Sequence, residues 1–332
     1  MDYFRPIAQT DAARPVGALP LAGGNSWFSH AELITRGGAS ALVPALDIPQ
    51  ELQAQISTQR ADICGISLDR PRLMGVLNVT PDSFSDGGRF DTKAAAILQA
   101  QSLLAEDADV LDIGGESTRP GSDVIDPTVE IERTAPVIAA LRANGNATPI
   151  SIDTRKAVVA QAAIGAGAGL INDVSAFSFD AKMVEVARHS GAAICLMHAS
   201  GDPKTMQKDP QYDDVLLDVY DYLASRIAFC LENGIDKNRI MIDPGIGFGK
   251  TQAHNLALIR GISLFHGLGC AVLLGVSRKR FIGTIGDEPV ADRRLPGSIA
   301  LGLEGLRQGV QMLRVHDIRE TRQALALWQA AR

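Results

Sequence analysis

Eight short apolar runs in this chain each close in a polar cluster, with helical patterns between most of them, and this layout limits the fold more than any single motif does. The runs cover residues 73–79, 109–113, 149–152, 170–172, 192–197, 239–242, 271–276 and 312–315. They end in or are followed by Asn78 and Asp82, Glu116 and Arg119, Asp153, Asn172 and Asp173, His198, Asp243, Ser277 and Lys279, and His316. Strands in any α/β protein end in polar loops. Eight endings this rich in carboxylates, amides and cations fit better a parallel (β/α)8 TIM barrel, an α/β fold in which the C-terminal strand ends converge on one active-site face.

The intervening helices carry start and stop signals. Asp91 can cap a helix with Ala94, Ile97, Leu98 and Leu104 as its apolar stripe. Asp126-Pro127 pairs an N-cap with proline at the first helical position and opens a helix to about Ala143. Asp153 or Thr154 starts the next, Asp180 another, and further helices are expected over about 213–233, 253–259, 297–308 and 318–330. About the first 70 residues are different. Arg14-Pro15, Gly17, Pro20, Gly23-Gly24, Gly37-Gly38, Pro44 and Pro49 break every regular pattern, leaving short strands and one helix over about 49–60. Residues 1–70 are therefore expected to form an irregular N-terminal extension covering the bottom or a flank of a barrel spanning 71–332.

The balance of 46% hydrophobic and 21% charged residues is that of an ordinary globular chain. A net charge of −6 gives no reason to expect nucleic acid or an anionic membrane as partner. The four cysteines, Cys64, Cys195, Cys230 and Cys270, have no zinc-ligand spacing, and no secretory signal or membrane-length apolar run is visible. The expectation is a cytoplasmic enzyme.

The chemistry concentrates in the strand-end clusters. Residues 78–88 form a long loop rich in amide, hydroxyl and carboxylate oxygens, and long loops inside compact domains are often functional. The next loop, 114–122, offers glycines for close backbone approach, with Thr118 and Arg119 suited to phosphate oxygens. Asp153, Asn172 and Asp243 close three strands and would point into the barrel mouth, where carboxylates can accept paired N–H groups from a guanidine-like heterocycle edge; helix capping is the alternative for Asp153. Residues 243–251 look like a phosphate-binding P-loop but fail the pattern, because Pro244 stands where a glycine is required. That loop is expected to shape a pocket wall, with Phe248 in contact. Lys279, Arg314 and His316 place three cations on neighbouring strand ends, with Arg314 and His316 facing the same way. Barrels of this class commonly bind phosphate there.

Taken together, residues 77–87, 112–121, 243–250, 277–279 and 314–317 closely resemble the dihydropteroate synthase family, from about Leu73 onward and with every motif in order. The resemblance implies a homodimeric β/α barrel of folate biosynthesis. Such an enzyme condenses 6-hydroxymethyl-7,8-dihydropterin diphosphate with 4-aminobenzoate, releases diphosphate, and is a sulfonamide target. It further implies that Asp153, Asn172 and Asp243 hold the pterin edge, with Lys279 on its carbonyl side, Arg314 stacked on the ring, and Met197 and Phe248 lining the pocket. Asn78 would bind Mg2+, and Thr118, Arg119, Arg314 and His316 would hold the diphosphate. Phe84, Pro120 and Lys279 would enclose the aminobenzoate, and Asp86 would order the first loop. The implied chemistry is a dissociative substitution in which Lys279, Arg119, Asp153, Asp243 and His316 are the catalytic set. Arg280 stands where the family often has a small serine. The alternatives are a methyltetrahydrofolate-binding corrinoid methyltransferase barrel and a non-catalytic pterin-binding homologue; the first has no use for a diphosphate pocket, and the second would have favoured loss of Asn78, Arg119, Lys279 or His316.

Overall fold

The computed structural model describes residues 2–80, 89–117, 124–201 and 209–331, with the side chains of 89–92 left aside. The N-terminal segment builds β1 (Asp2–Pro6), β2 (Leu19–Pro20), β3 (Trp27–Phe28), β4 (His30–Thr35), β5 (Ala41–Pro44) and α1 (Gln50–Ser57). Strands β1, β4 and β5 form an antiparallel sheet, and Leu21, Phe28, Ala31, Ile48 and Ile56 close a small core of their own.

The remainder alternates strand and helix: β6 (Arg72–Asn78), α2 (Arg89–Ala105), β7 (Val110–Gly114), α3 (Pro127–Ala143), β8 (Ile150–Asp153), α4 (Ala157–Gly165), β9 (Leu170–Asp173) and α5 (Met183–Ser190). Then follow β10 (Ala193–Met197), α6 (Val215–Glu232), β11 (Ile240–Asp243), α7 (Gln252–Arg260), β12 (Ala271–Leu274), α8 (Arg280–Ile285), α9 (Leu295–Arg307), β13 (Met312–Val315) and α10 (Ile318–Ala330). Strands β6 to β13 pair in parallel in chain order and close on themselves, a (β/α)8 barrel. Each strand matches an apolar run to within two residues.

Side-chain alternation along these strands divides the core. Met74, Val110, Leu170, Ala193, Cys195, Met241, Ala271, Leu273 and Met312 pack inside the barrel. Their neighbours, such as Leu73, Leu111, Ile152, Ile171, Leu196, Ile242 and Leu313, pack outward under the helices. The extension serves both expected positions. Ile63 and Leu68 join the interior cluster and plug the bottom. The sheet lies on a flank, where Ser263 Oγ donates to the Pro6 carbonyl at 2.8 Å and Arg307 donates to that of Ala8 at 3.0 Å.

The helix boundaries show how local signals were used. Asp126 accepts the Thr128 N–H at 2.8 Å and Pro127 opens α3, as expected. Helix α2 begins at Arg89, ahead of Asp91. Helix α4 begins at Ala157, later than expected, and Asp180 from the following loop accepts the Ala157 N–H at 2.9 Å. Asp153 takes no part in that cap. Helix α8 and the 3-10 turns over Ile262–Leu268 were not anticipated: the first has only six residues, and the second is buried throughout, so neither shows a period.

Candidate active site

The inward-facing positions nearest the C-terminal strand ends are Asn78, Asp112, Asp153, Asn172, Met197, Asp243 and Arg314. Parallel pairing sets Asn78, Gly114, Asp153 and Asn172 in one register row, and Met197 opposite Asp243. Asp112, Asp153, Asn172, Met197 and Asp243 are all buried. Burying a carboxylate is costly unless it is paired. Here one guanidinium spans two: Arg314 Nε reaches Asp112 at 2.6 Å, and its Nη2 reaches Asp153 at 2.8 Å. Asn172 donates to the same Asp112 oxygen at 3.2 Å. The other oxygens, Asp112 Oδ1 and Asp153 Oδ1, are buried with no hydrogen-bond partner among the described residues. Burial lifts the Asp153 carboxyl to about 7, with Arg314 pulling the other way and Asp112 adding to the rise. Burial also raises Asp243, against the Gly245 N–H it accepts at 2.7 Å.

Two loops form the wall beside Asp243. Gly245 has a φ of 69°, and a Cβ there would lie 1.9 Å from the His198 carbonyl oxygen, so only glycine brings the loops after β10 and β11 this close. The Lys279 ammonium sits 4.2 Å from the centre of the Phe248 ring, a cation–π contact. Lys279 is delivered by a turn in which Arg278 adopts a φ of 59°, uncommon for a non-glycine residue. Arg278 is held there by Asp317 at the end of β13, through Nε at 3.1 Å and Nη2 at 2.5 Å, and by Asp292. His316 Nδ1 lies 3.0 Å from Ser277 Oγ, so the ends of β12 and β13 are tied together with Lys279 and His316 between them.

Of the sequence candidates, Asn78, Asp153, Asn172, Met197, Asp243, Phe248, Lys279, Arg314 and His316 are thus brought to one end of the barrel. Arg314, expected against a ring and a diphosphate, has carboxylate partners here. Phe84, Asp86, Thr118, Arg119 and Pro120 lie outside the described residues. Glu116 turns away from the mouth: it pairs with Lys156 at 2.6 Å and Arg155 at 3.2 Å and accepts the Ile125 N–H at 2.9 Å, clasping the two ends of the second loop. Lys156 also reaches Glu130 at 2.6 Å.

Sequence reasoning missed two residues. Asp112 lay inside an apolar run; the signal was a carboxylate at the inward parity, two residues before Gly114. Lys250 belonged to the rejected P-loop pattern. Its ammonium is buried, 2.9 Å from His198 Nδ1 and from the carbonyls of Gly245 and Phe248. Burial takes it down to about 7 and takes His198 down to about 2, so that the imidazole is a neutral acceptor.

Among the described residues, no group of three or more His, Cys, Asp or Glu could hold a metal ion, and no helix is long and apolar enough to cross a membrane.

A family model described as pterin binding enzyme matches residues 74–316. A dihydropteroate synthase of Neisseria meningitidis serogroup B is 46% identical over 270 residues, covering 80% of this chain and 94% of that protein. The dihydropteroate synthase of Xanthomonas albilineans, solved with 4-aminobenzoic acid, superposes with a TM-score of 0.77 at 44% identity, covering 82% of this chain and 97% of that one. The same organism's enzyme in complex with 7,8-dihydropteroate gives a TM-score of 0.74 at 42% identity, covering 82% and 98%.

Proposed function

Because the chain belongs to the dihydropteroate synthases, pterin-binding β/α-barrel transferases, we propose that it joins 6-hydroxymethyl-7,8-dihydropterin diphosphate to 4-aminobenzoate, giving 7,8-dihydropteroate and diphosphate. The observation that carries this reading is the set of buried acceptors in the mouth, with Asp112 Oδ1 and Asp153 Oδ1 lacking donors among the described residues. An aminopterin edge presents adjacent N–H groups, and orphaned carboxylate oxygens are what such an edge satisfies. Asp153, Asn172 and Asp243 hold that edge, and Lys279 donates to its carbonyl side.

The reaction is a substitution at the pterin methylene. The C–O bond to diphosphate breaks and both electrons leave with the diphosphate. The positive charge left behind spreads into the ring, where Asp153 and Asp243 favour it. The aminobenzoate nitrogen then forms the new C–N bond and gives up a proton, which the departing diphosphate accepts. His316 and Arg314, together with Thr118 and Arg119, take the charge of the leaving group, and Phe84, Pro120 and Lys279 enclose the aminobenzoate, with Asp86 ordering the first loop. Asn78 brings a hard amide oxygen to the row of Gly114 and Asp153. Magnesium bound to substrate phosphates needs only one or two protein ligands, so this donor fits Mg2+. When bound, the ion supplies neutralisation of the diphosphate charge. Sulfonamides compete with aminobenzoate for the same wall. The four cysteines are free thiols, which suits the cytoplasm, and a homodimer is expected, giving twice the chain mass by light scattering.

The test is product formation from the pterin diphosphate and labelled 4-aminobenzoate, with and without magnesium. Magnesium-dependent product that is lost in Lys279→Ala and Arg119→Ala supports the reading. Absence of product together with tight methyltetrahydrofolate binding would replace it with methyl transfer.

A further inference from the structure

The lysine of the failed P-loop pattern has no place in the reaction above, yet it is only 3% exposed and sits behind the pocket wall. Its ammonium bridges two loops. From the loop after β10 it takes His198 Nδ1 at 2.9 Å and the His198 carbonyl at 3.2 Å; from the loop after β11 it takes the Gly245 and Phe248 carbonyls, both at 2.9 Å. An ammonium has three protons and no acceptor, so it suits a cage made of acceptors alone. Neighbouring groups are fixed as well. Tyr212 donates to the Gly249 carbonyl at 2.7 Å, and Asn255 accepts the Gly247 N–H at 2.7 Å. The imidazole of His198 stands edge-on to Tyr222 at 4.8 Å, which sets its ring plane.

The output of this cage is the position of Phe248. The residue whose carbonyl Lys250 holds carries the ring beneath the Lys279 ammonium. Gly247 lies under the Lys279 stem, where a Cβ would come within 3.1 Å of Lys279 Cδ, so a small shift of this loop is felt directly by Lys279. We propose that Lys250 is a positioning residue, whose buried ammonium locks the loops after β10 and β11 together and so sets Phe248, at the pterin pocket, against Lys279, which reaches from that pocket into the wall that receives the aromatic amine. The assignment of that wall to the amine rests on the proposed function; the coupling of Lys250 to Lys279 does not.

Two measurements on the full chain separate these claims. The first follows the Lys279 side-chain signal in protein labelled with 13C-lysine, identified as the signal missing from Lys279→Arg and displaced by the Phe248 ring current. In Lys250→Met it should move to the position seen in Phe248→Leu, and the double variant should move it no further. Lys250→Arg keeps the charge on a longer, planar head; it should shift the same signal part of the way, and it serves where Lys250→Met does not fold. The second is steady-state kinetics. Lys250→Met should raise KM for 4-aminobenzoate about tenfold, the scale of one cation–π contact, and because Phe248 and Lys279 also border the proposed pterin pocket, pterin binding should weaken with it. A Lys279 signal unmoved in a folded Lys250 variant overturns the proposal. A shifted signal with an unchanged KM overturns its assignment to the amine. Inactive wild-type protein with a shifted signal refutes the proposed function and leaves the positioning role standing.

Discussion

The two ends of the barrel bury aspartate beside arginine to opposite effect. At the N-terminal end, Asp109 accepts the Leu73 N–H at 2.8 Å, Arg72 at 3.2 Å and Arg322 at 2.6 Å, with Arg70 at 3.6 Å. Burial works against its charge, but Arg322 and the other donors outweigh it, and its pKa is lowered. At the C-terminal end, Asp112 and Asp153 share Arg314, each keeps an oxygen without a donor among the described residues, and burial pushes Asp153 up. A saturated carboxylate is a strut. An unsaturated one is an acceptor held ready for a ligand, and its unmet hydrogen bonds are the local cost of a binding site.

Asparagine substitution should divide the two ends most clearly. Asp153→Asn removes an acceptor that the proposed function assigns to the pterin edge and should lower kcat/KM by about 100-fold or more, as expected for losing charged hydrogen bonds of roughly 1.5–3 kcal/mol each. Its stability should stay level or rise, because Arg314 keeps Asp112 and one buried charge is gone. Asp109→Asn should do the reverse. Arg72 keeps Asp69 and Arg322 keeps Asp107, so loss of the carboxylate they share should cost about 1–3 kcal/mol in urea unfolding, with kcat/KM of the folded fraction within about twofold. A Asp153→Asn variant that is unstable but fully active would erase the distinction.

Acidity sharpens the contrast through its sign. Asp153 is raised from 3.8 to about 7, so the folded state holds a proton that the unfolded chain gives up. Its contribution to stability is complete below about pH 4 and is lost as pH climbs through about 7. Asp109 is lowered, so its contribution is present above 3.8 and is lost as pH falls through its folded value. Urea midpoints measured across pH should therefore lose their decline toward neutrality in Asp153→Asn and lose their acid fall in Asp109→Asn. Identical profiles in the two variants would mean that neither carboxylate titrates as its surroundings dictate. Affinity for a pterin that needs the ionised Asp153 should rise with pH over the same window.

Much of this contrast can be read in the sequence, and the unreadable part has a physical reason. Apolar runs fixed all eight barrel strands because strand burial leaves a direct trace in composition. Their closing positions then placed Asp153, Asn172 and Asp243 in the mouth, and parity set Arg314 and His316 on one side of the last strand. What failed was long-range pairing. Arg314 meets Asp112 across 202 positions of chain, and nothing local marks that carboxylate as its partner. Glu116 read as a rim residue because it follows a strand, whereas Lys156 and Ile125 draw it into the root of the loop. Lys250 read as a failed phosphate motif because its glycines look alike whether a loop wraps a ligand or a lysine. The extension showed only broken patterns, since its short strands depend on one another and on the barrel flank.

The extension supplies a third way of placing acid beside arginine, and the smallest expected effect. Arg36 reaches Asp218 and Asp221 on α6, each at 2.7 Å, and Tyr3 donates to Asp221 at 2.8 Å. The Arg36 side chain is 38% exposed, so water screens the pairs and contests both. Asp218 also accepts the N–H groups of Asp213 and Asp214, at 3.0 and 3.2 Å, and it keeps those bonds without the arginine. Arg36→Ala should thus cost no more than about 1 kcal/mol, with the difference shrinking further at high salt. Urea unfolding at two ionic strengths checks this. A salt-insensitive loss comparable to that of Asp109→Asn would show the extension to be a strut of the same kind as the barrel floor, and the division between buried and exposed pairs would have to be redrawn.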